Sequence, residues 1–229
     1  MSLDVAVSRE FSLVFPTPIL TRTLFTDSFN ERLARVLLAR RRRGEGSRSK
    51  GGGWQSAPDL LNWPELEVKF LATEIFNAMK RINAESSDAT VQSTDAVSAE
   101  AGSWNPNGWN SLKRNHEHYR GRAWANVNGD GHYDSPRVQP GYQWCAIYHV
   151  ATGRLAPDRV RNGTLEIMDP RPAASFGQLE KFAFGHPLEI EPKAGLVVIF
   201  PAWLQYCVHP FFGMGHRISI TMNISVEEE

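Results

Sequence analysis

Gly195-Leu-Val-Val-Ile-Phe-Pro-Ala-Trp-Leu-Gln-Tyr206-Cys-Val-His209-Pro, followed by Gly215-His-Arg217-Ile-Ser219-Ile-Thr-Met-Asn223, is the stretch whose reading decides the fold. Its apolar run between Gly195 and Pro201 is short, β-branched and aromatic, and bounded by turn formers, which is the pattern of a buried strand. A turn through Pro201, Ala202, Trp203 and Leu204 then leads to Tyr206 and His209. The next strand, from His216 to Ser225, sets Arg217 and Ser219 on one face, because alternate strand residues point the same way. A guanidinium fork and a hydroxyl on one face can reach a single anion.

The same grammar extends upstream. Strand character recurs at Arg122 to Asn128, Tyr142 to Val150, Thr164 to Met168 and His186 to Ile190, each run short and separated from the next by Gly, Pro, Asp or Asn. Strands of this length without helical period between them predict a β-sandwich or jelly roll. Before them the pattern changes. Residues 15–21 read as an extended opening strand, since each proline pushes its predecessor out of helical geometry. A helix follows, capped by Asp27 or Ser28, with Phe29, Leu33, Val36 and Leu37 on one face. It runs into Arg40 to Arg43 and a glycine-rich segment whose ordering costs much backbone entropy, which reads as a mobile loop. A second amphipathic helix carries Leu66, Phe70, Ile75 and Met79 as its apolar stripe. From Asn83 to Asn107, Ser, Ala, Asp, Asn and Gly dominate, as in a long loop. The fold class expected is therefore mainly β with α, in one domain spanning residues 1–229: a helical part at 1–82, a loop at 83–107 and a jelly-roll core at 108–229.

The 229 residues carry 25 basic and 25 acidic side chains. That balance leaves no global field to steer nucleic acid, an acidic membrane or a highly charged substrate. Four adjacent arginines without interleaved aromatics read as a solvated helix end rather than a nucleic-acid patch. No apolar run reaches bilayer length and the first residues lack the pattern of a secretory signal, so a cytoplasmic protein is expected, with no membrane partner. Two cysteines, Cys145 and Cys207, are too few for a disulfide framework and read as buried free thiols. A nucleophilic role for Cys207 is the sharper alternative.

Several segments in order resemble the family of small oxygenases dependent on 2-oxoglutarate and Fe(II). Gly52-Gly-Trp54-Gln-Ser56 with Asp59-Leu-Leu is similar to the N-terminal signature of that family, and Trp124-Ala-Asn126-Val-Asn128 to its first barrel strand. Ile147-Tyr148-His149-Val150, Leu165 to Arg171, and Gly195 to Asn223 complete the series. The resemblance implies a double-stranded β-helix, cupin-like, with an N-terminal helical layer. It also implies pocket-lining roles for Asn126, Gln139, Tyr148 and Trp203, a carboxylate anchor at Arg217 and Ser219, and a homodimer as in some members.

The resemblance further implies three iron-binding imidazoles, and this sequence has Arg137, Gln139 and Tyr206 where they are expected. The last is found by counting eleven residues back from Arg217. A guanidinium has no lone pair to give, the Gln139 amide is a weak neutral donor, and a phenol binds metal only as its anion, with an ordinary pKa of about 10. No metal is expected at these positions. One reading is a small-molecule enzyme without iron, binding an anionic ligand, with Tyr206, Arg137 and His209 as catalytic groups and the Tyr206 pKa lowered by nearby guanidinium. A second is an active Fe(II)/2-oxoglutarate hydroxylase with relocated ligands His132, Asp134 and His209. A third is a non-catalytic ligand-binding protein. His116 and His118 form a further possible metal pair on alternate strand residues. His149 reads as outward-facing or hydrogen-bonded in the core.

Overall fold

A computed structural model of the chain describes residues 17–88, 113–114, 117–171 and 185–228. Its elements in order are β1 (Leu20–Thr23), α1 (Asp27–Arg42), β2 (Ser47–Arg48), β3 (Trp54–Gln55), a short 3-10 turn (Leu60–Asn62), α2 (Leu66–Asp88), β4 (Lys113–Arg114), β5 (Glu117–Asn128) and β6 (Asp134–Arg137). There follow β7 (Trp144–Ala151), β8 (Arg154–Leu155), β9 (Leu165–Ile167), β10 (Leu188–Ile190), β11 (Leu196–Pro201), β12 (Tyr206–Val208), β13 (Gly213–Met214) and β14 (Arg217–Glu228). The larger sheet runs β1-β11-β7-β14-β5-β3-β2, with β4 also paired to β5, and the smaller runs β10-β9-β12-β6. Among the described residues the architecture is mainly β with a helical layer, as the strand pattern predicts.

Two clusters of apolar side chains cover the two faces of the larger sheet. Ala123, Ala125, Val127, Tyr148, Ile218, Ile220 and Met222 pack with α1 and α2. On the other face Cys145, Ile147, Val198 and Phe200 pack with Leu165, Ile167, Tyr206 and Val208 of the smaller sheet. The β14 strand sits between β5 and β7 and fixes their register: Ser219 lies opposite both Asn126 and His149, and Asn223 opposite both Arg122 and Cys145.

The helices depart from the sequence reading in detail. On α1, Phe29, Leu33 and Leu37 are buried as expected, while the N-cap is Thr26, without a side-chain cap bond. On α2 the buried seam is Val68, Leu71, Ala72, Ile75, Phe76, Met79 and Ile82. That is a continuous 3.6-residue stripe, and it leaves Leu66 and Phe70 beside it, 64% and 59% exposed. The helix also continues through Asp88, because Asn83 to Asp88 contain no glycine or proline to end it. The rest of the expected loop, residues 89–107, lies outside the described residues, as do Phe15, Pro16 and His116; the side chain of His118 is likewise not described.

The arginine run and the glycines after it hold the barrel rim together. The Arg40 guanidinium lies 3.8 Å above the Trp63 ring, reaches both carboxylate oxygens of Glu65 at 2.9 and 3.0 Å, and donates to Glu45 at 2.7 Å. Stacking and a forked ion pair together tie the end of α1 to the start of α2. The segment read as a mobile loop is instead a hairpin: the Ser49 amide donates to the Gly53 carbonyl, and the Tyr133 amide to that of Gly51. Its glycines are there for close approach. A Cβ on Gly51 would stand 1.8 Å from the Tyr133 carbonyl oxygen, and one on Gly53 2.0 Å from Asn128 Oδ1. Gly51→Ala is expected to lower stability by about 1–3 kcal/mol through overpacking, read as a fall in the urea midpoint with an unchanged slope.

Candidate functional site in the barrel interior

Alternate residues of β5 and β14 turn a polar row into the space between the sheets. Arg217 faces Asn128, Ser219 faces Asn126, Thr221 faces Trp124, and Asn223 faces Arg122. The residues between them face the helices, so one strand pair serves an apolar core on one side and a polar interior on the other. Asn126, Asn128, Ser219, Thr221 and Asn223 are all buried. On this face Trp124 Nε1, Asn126 Oδ1, His149 Nε2 and Asn223 Oδ1 are buried without a partner. Buried polar atoms are nearly always paired, so such a row is the signature of a space meant to hold polar contents.

Arg217 is the deepest member. It has no solvent exposure, and its contacts are the Gly163 carbonyl at 3.0 Å, Ser219 Oγ at 3.2 Å and His149 Nδ1 at 3.4 Å. All three are neutral. Among the described residues no carboxylate lies in ion-pair distance of it, and Asp134 acts on it only at longer range. Burial brings its pKa down to about 10, with Asp134 opposing. A guanidinium has five N–H donors and three are used, so two remain for a ligand. His149 is buried on the same face of β7, and burial together with the Arg217 charge holds its pKa well below the ordinary histidine value. The ring therefore stays neutral, with Nδ1 accepting from Arg217 and Nε2 carrying the proton.

Arg137, Gln139 and Tyr206 meet at the junction of β6 and β12. Tyr206 stands opposite Arg137 in register, and the Gln139 amide donates to the Tyr206 hydroxyl at 2.6 Å. Gln139 in turn accepts from Asn223 Nδ2 at 2.9 Å, making a chain of three side chains across the barrel. The Arg137 guanidinium turns to Asp134 at 3.3 Å and to the Ser135 carbonyl at 3.2 Å. Tyr206 is the reverse of what the sequence suggests: burial raises its pKa well above 10, Cys145 adds to the rise, and the opposing effects of Gln139 and Arg137 are smaller. Burial also takes the neighbouring Cys145 thiol up to about 12.

The remaining expected site residues are dispersed. The ring of Tyr148 packs in the helix-side core and its hydroxyl donates to Asn30, because Tyr148 and His149 necessarily take opposite faces of β7. Trp203 is 54% exposed on the turn after β11. His132 accepts from the Gly129 amide in a tight turn, Asp134 is buried between Asn128 and Arg137, and His209 bonds Glu166 at 2.7 Å. Among the described residues, the one group whose donor atoms converge within 4.8 Å is Glu166, Cys207 and His209, so His132, Asp134 and His209 are not brought together as a trio. Both cysteines are free and buried. No described helix is long and apolar enough to cross a membrane.

A cleft of about 390 Å³ opens onto this interior, lined by Ser47, Gln55, Ser56, Arg122, Trp124, Gln139, Tyr142 and Asn223 among others. A second, of about 290 Å³, lies beside Arg137, Lys50 and Gln55. Sequence reasoning missed Arg122, Thr221 and Asn223. Their signal was the alternation itself, since Arg122, Trp124, Asn126 and Asn128 interleave with Ala123, Ala125 and Val127.

Residues 122–223 match the protein family described as "Putative 2OG-Fe(II) oxygenase". The chain superposes on the prolyl-4-hydroxylase of Pseudomonas putida with TM-score 0.54 and 14% identity, over 90% of this chain and 91% of that one. The fold is that of the 2-oxoglutarate/Fe(II) oxygenases. The prolyl hydroxylase of Trichoplax adhaerens, solved with a hypoxia inducible factor peptide, gives TM-score 0.56 and 11% identity over 91% and 83% of the two chains. The α-ketoglutarate-dependent epimerase SnoN of nogalamycin biosynthesis gives 0.59 and 10% over 92% and 80%. No curated protein matches the sequence. The sheets are thus the two halves of a double-stranded β-helix, the fold of these structural neighbours.

The neutral, buried His149 gives this interior a pH dependence. Unfolded, the ring titrates near 6.5 and takes up a proton that the folded ring refuses. Its contribution is therefore complete above about pH 6.5 and falls away below it, by up to about 1.4 kcal/mol per pH unit. Melting temperatures from about pH 7.5 to pH 5 are expected to drop more steeply for the wild type than for His149→Asn.

Proposed function

We propose that this chain binds an anionic small molecule of the dicarboxylate class in its barrel and acts on it, as a tailoring enzyme, without iron. The observation that carries the reading is Arg217, a fully buried guanidinium that, among the described residues, is answered only by neutral dipoles. A buried charge without a partner is costly, and a carboxylate accepting from its two free N–H groups and from the Ser219 hydroxyl removes that cost. His149, donating through Nε2, adds a further contact for the same anion.

The donor set at the junction of β6 and β12 supports the iron-free part of the reading. A ferrous oxygenase site needs two imidazoles and a carboxylate, with open positions left for reactants. Arg137 has no lone pair to offer, and Gln139 and Tyr206 bond each other directly rather than facing a common ion. The raised pKa keeps Tyr206 a neutral phenol, so its role is to donate a hydrogen bond or a proton to the bound anion rather than to abstract one. Arg122, Trp124 and Asn223 in the adjoining cleft contact the rest of the substrate. His209 takes no part, since it shares the outer face of the smaller sheet with Glu166.

Chelator-treated protein is expected to melt about 5–10 °C higher with saturating 2-oxoglutarate, succinate or citrate. Arg217→Met is expected to abolish that rise while leaving the unliganded melting temperature equal or higher, because the unpaired charge is gone. Failure of all three anions removes the reading, and iron-dependent conversion of 2-oxoglutarate to succinate by the wild type replaces it with the oxygenase one. Tyr206→Phe separates enzyme from binding protein: binding weakens by no more than about tenfold in both cases, and turnover is lost only in the first.

A further inference from the structure

The outer face of the smaller sheet holds a second cluster, which the barrel chemistry does not use. Cys207 on β12 lies directly opposite Glu166 on β9, so the two side chains share a face. His209 is two residues beyond Cys207, and its amide still bonds the Thr164 carbonyl at 2.9 Å, which carries the strand geometry to it and returns its ring to that same face. The sulfur, an imidazole nitrogen and a carboxylate oxygen of these residues all lie within 4.8 Å of one another. The side chains of Glu166 and His209 are only 13% and 25% exposed and Cys207 is 8% exposed, so the atoms are shielded yet reachable. Tyr206 and Val208, which alternate with Cys207 and His209, point the other way into the barrel.

We propose that Glu166, Cys207 and His209 form a binding site for one divalent transition-metal ion of the zinc class, separate from the barrel. Thiolate, imidazole and carboxylate are the three donor types that zinc takes, and three protein donors leave the fourth tetrahedral position to water. Without the ion, His209 Nε2 and Glu166 Oε2 bond each other at 2.7 Å, so the atoms that would ligate are already aimed at one point. Binding releases the thiol proton, and the neutral imidazole presents Nε2 to the metal with its one proton on Nδ1, leaving a thiolate, a neutral imidazole and a carboxylate around the ion. The charges close locally. Thiolate and carboxylate balance the dication, and Arg161, which touches Glu166 Oε2 at 3.6 Å, is balanced by Glu189 at 2.5 Å. Arg161 is also the one non-glycine with positive φ, at 55°, among the described residues. Its left-handed backbone is a local cost, borne where its guanidinium reaches the Glu166 carboxylate.

The test is titration of metal-free, chelator-stripped full-length protein with Zn(II) by calorimetry, and with Co(II) by absorption. One ion per chain is expected, with a thiolate-to-cobalt charge-transfer band in the near ultraviolet. Cys207→Ser, close to isosteric, and His209→Ala are each expected to weaken Zn(II) binding by roughly a hundredfold or more. Tyr206→Phe and Asp134→Asn, which alter the barrel, are expected to leave it within about threefold. No saturable binding, or cobalt bound without the sulfur band, overturns the proposal. So does loss of binding in the barrel variants with retention in Cys207→Ser, which puts the ion in the barrel. The cobalt spectrum of the wild type decides the matter even where a variant fails to fold.

Discussion

A guanidinium with no carboxylate beside it among the described residues organises the interior of this protein. Burying a charge costs several kcal/mol even after relaxation, and Arg217 is met only by a carbonyl, a hydroxyl and an imidazole nitrogen. Each of those partners is constrained in turn. Gly163 presents its carbonyl from a left-handed backbone, and a Cβ there would stand 3.2 Å from Arg217 Cδ. His149 has to be neutral, since a second cation at 3.4 Å would make the site untenable. The inward positions nearest Arg217 on the flanking strands are polar, Asn126 and Asn128 on β5 and His149 on β7, because apolar ones would strip the last compensating dipoles from the charge.

That demand is met without weakening the fold because a strand has two independent faces. On β5 and β14 the helix-facing residues are small or aliphatic and supply the core, while the barrel-facing residues supply the site. The smaller sheet repeats the division: Tyr206 and Val208 close the core between the sheets, and Cys207 with Glu166 looks outward. One-residue shifts in register would exchange these faces wholesale. The twelve-residue pairing of β5 with β14 is what prevents them.

The strands were legible in the sequence because alternation and turn residues are local signals. Runs at Arg122, Tyr142, Gly195 and His216 all became strands, some longer than read. Arg217 and Ser219 were legible as a pair for the same reason, being two apart on one strand. The seam of α2 was misread at Leu66 and Phe70, since which of several apolar stripes is buried depends on the sheet beneath it. The glycine run was misread because flexible composition and tight packing use the same residue, and only the approach of Tyr133 and Asn128 distinguishes them. Tyr148 was assigned to the pocket although it adjoins His149 on a strand, and only one of two neighbours can face the barrel. His209 pairing with Glu166 involves a partner 43 residues away, beyond the reach of any spacing rule.

Tyr206 shows how a local electrostatic argument fails when desolvation is larger. Proximity to Arg137 suggests a stabilised phenolate, yet Arg137 already serves Asp134 and the Ser135 carbonyl, so little of its field is left for the phenol. The Asp134 charge works against ionisation as well, and burial outweighs the rest. The phenol is accordingly neutral, a hydrogen-bonding group held in place by Gln139, with Asn223 behind it. A fixed donor at one point of the interior and a fixed cation at another give the polar space between the sheets two distinct ends. Burial is the largest influence on both groups, raising the Tyr206 pKa and lowering that of Arg217.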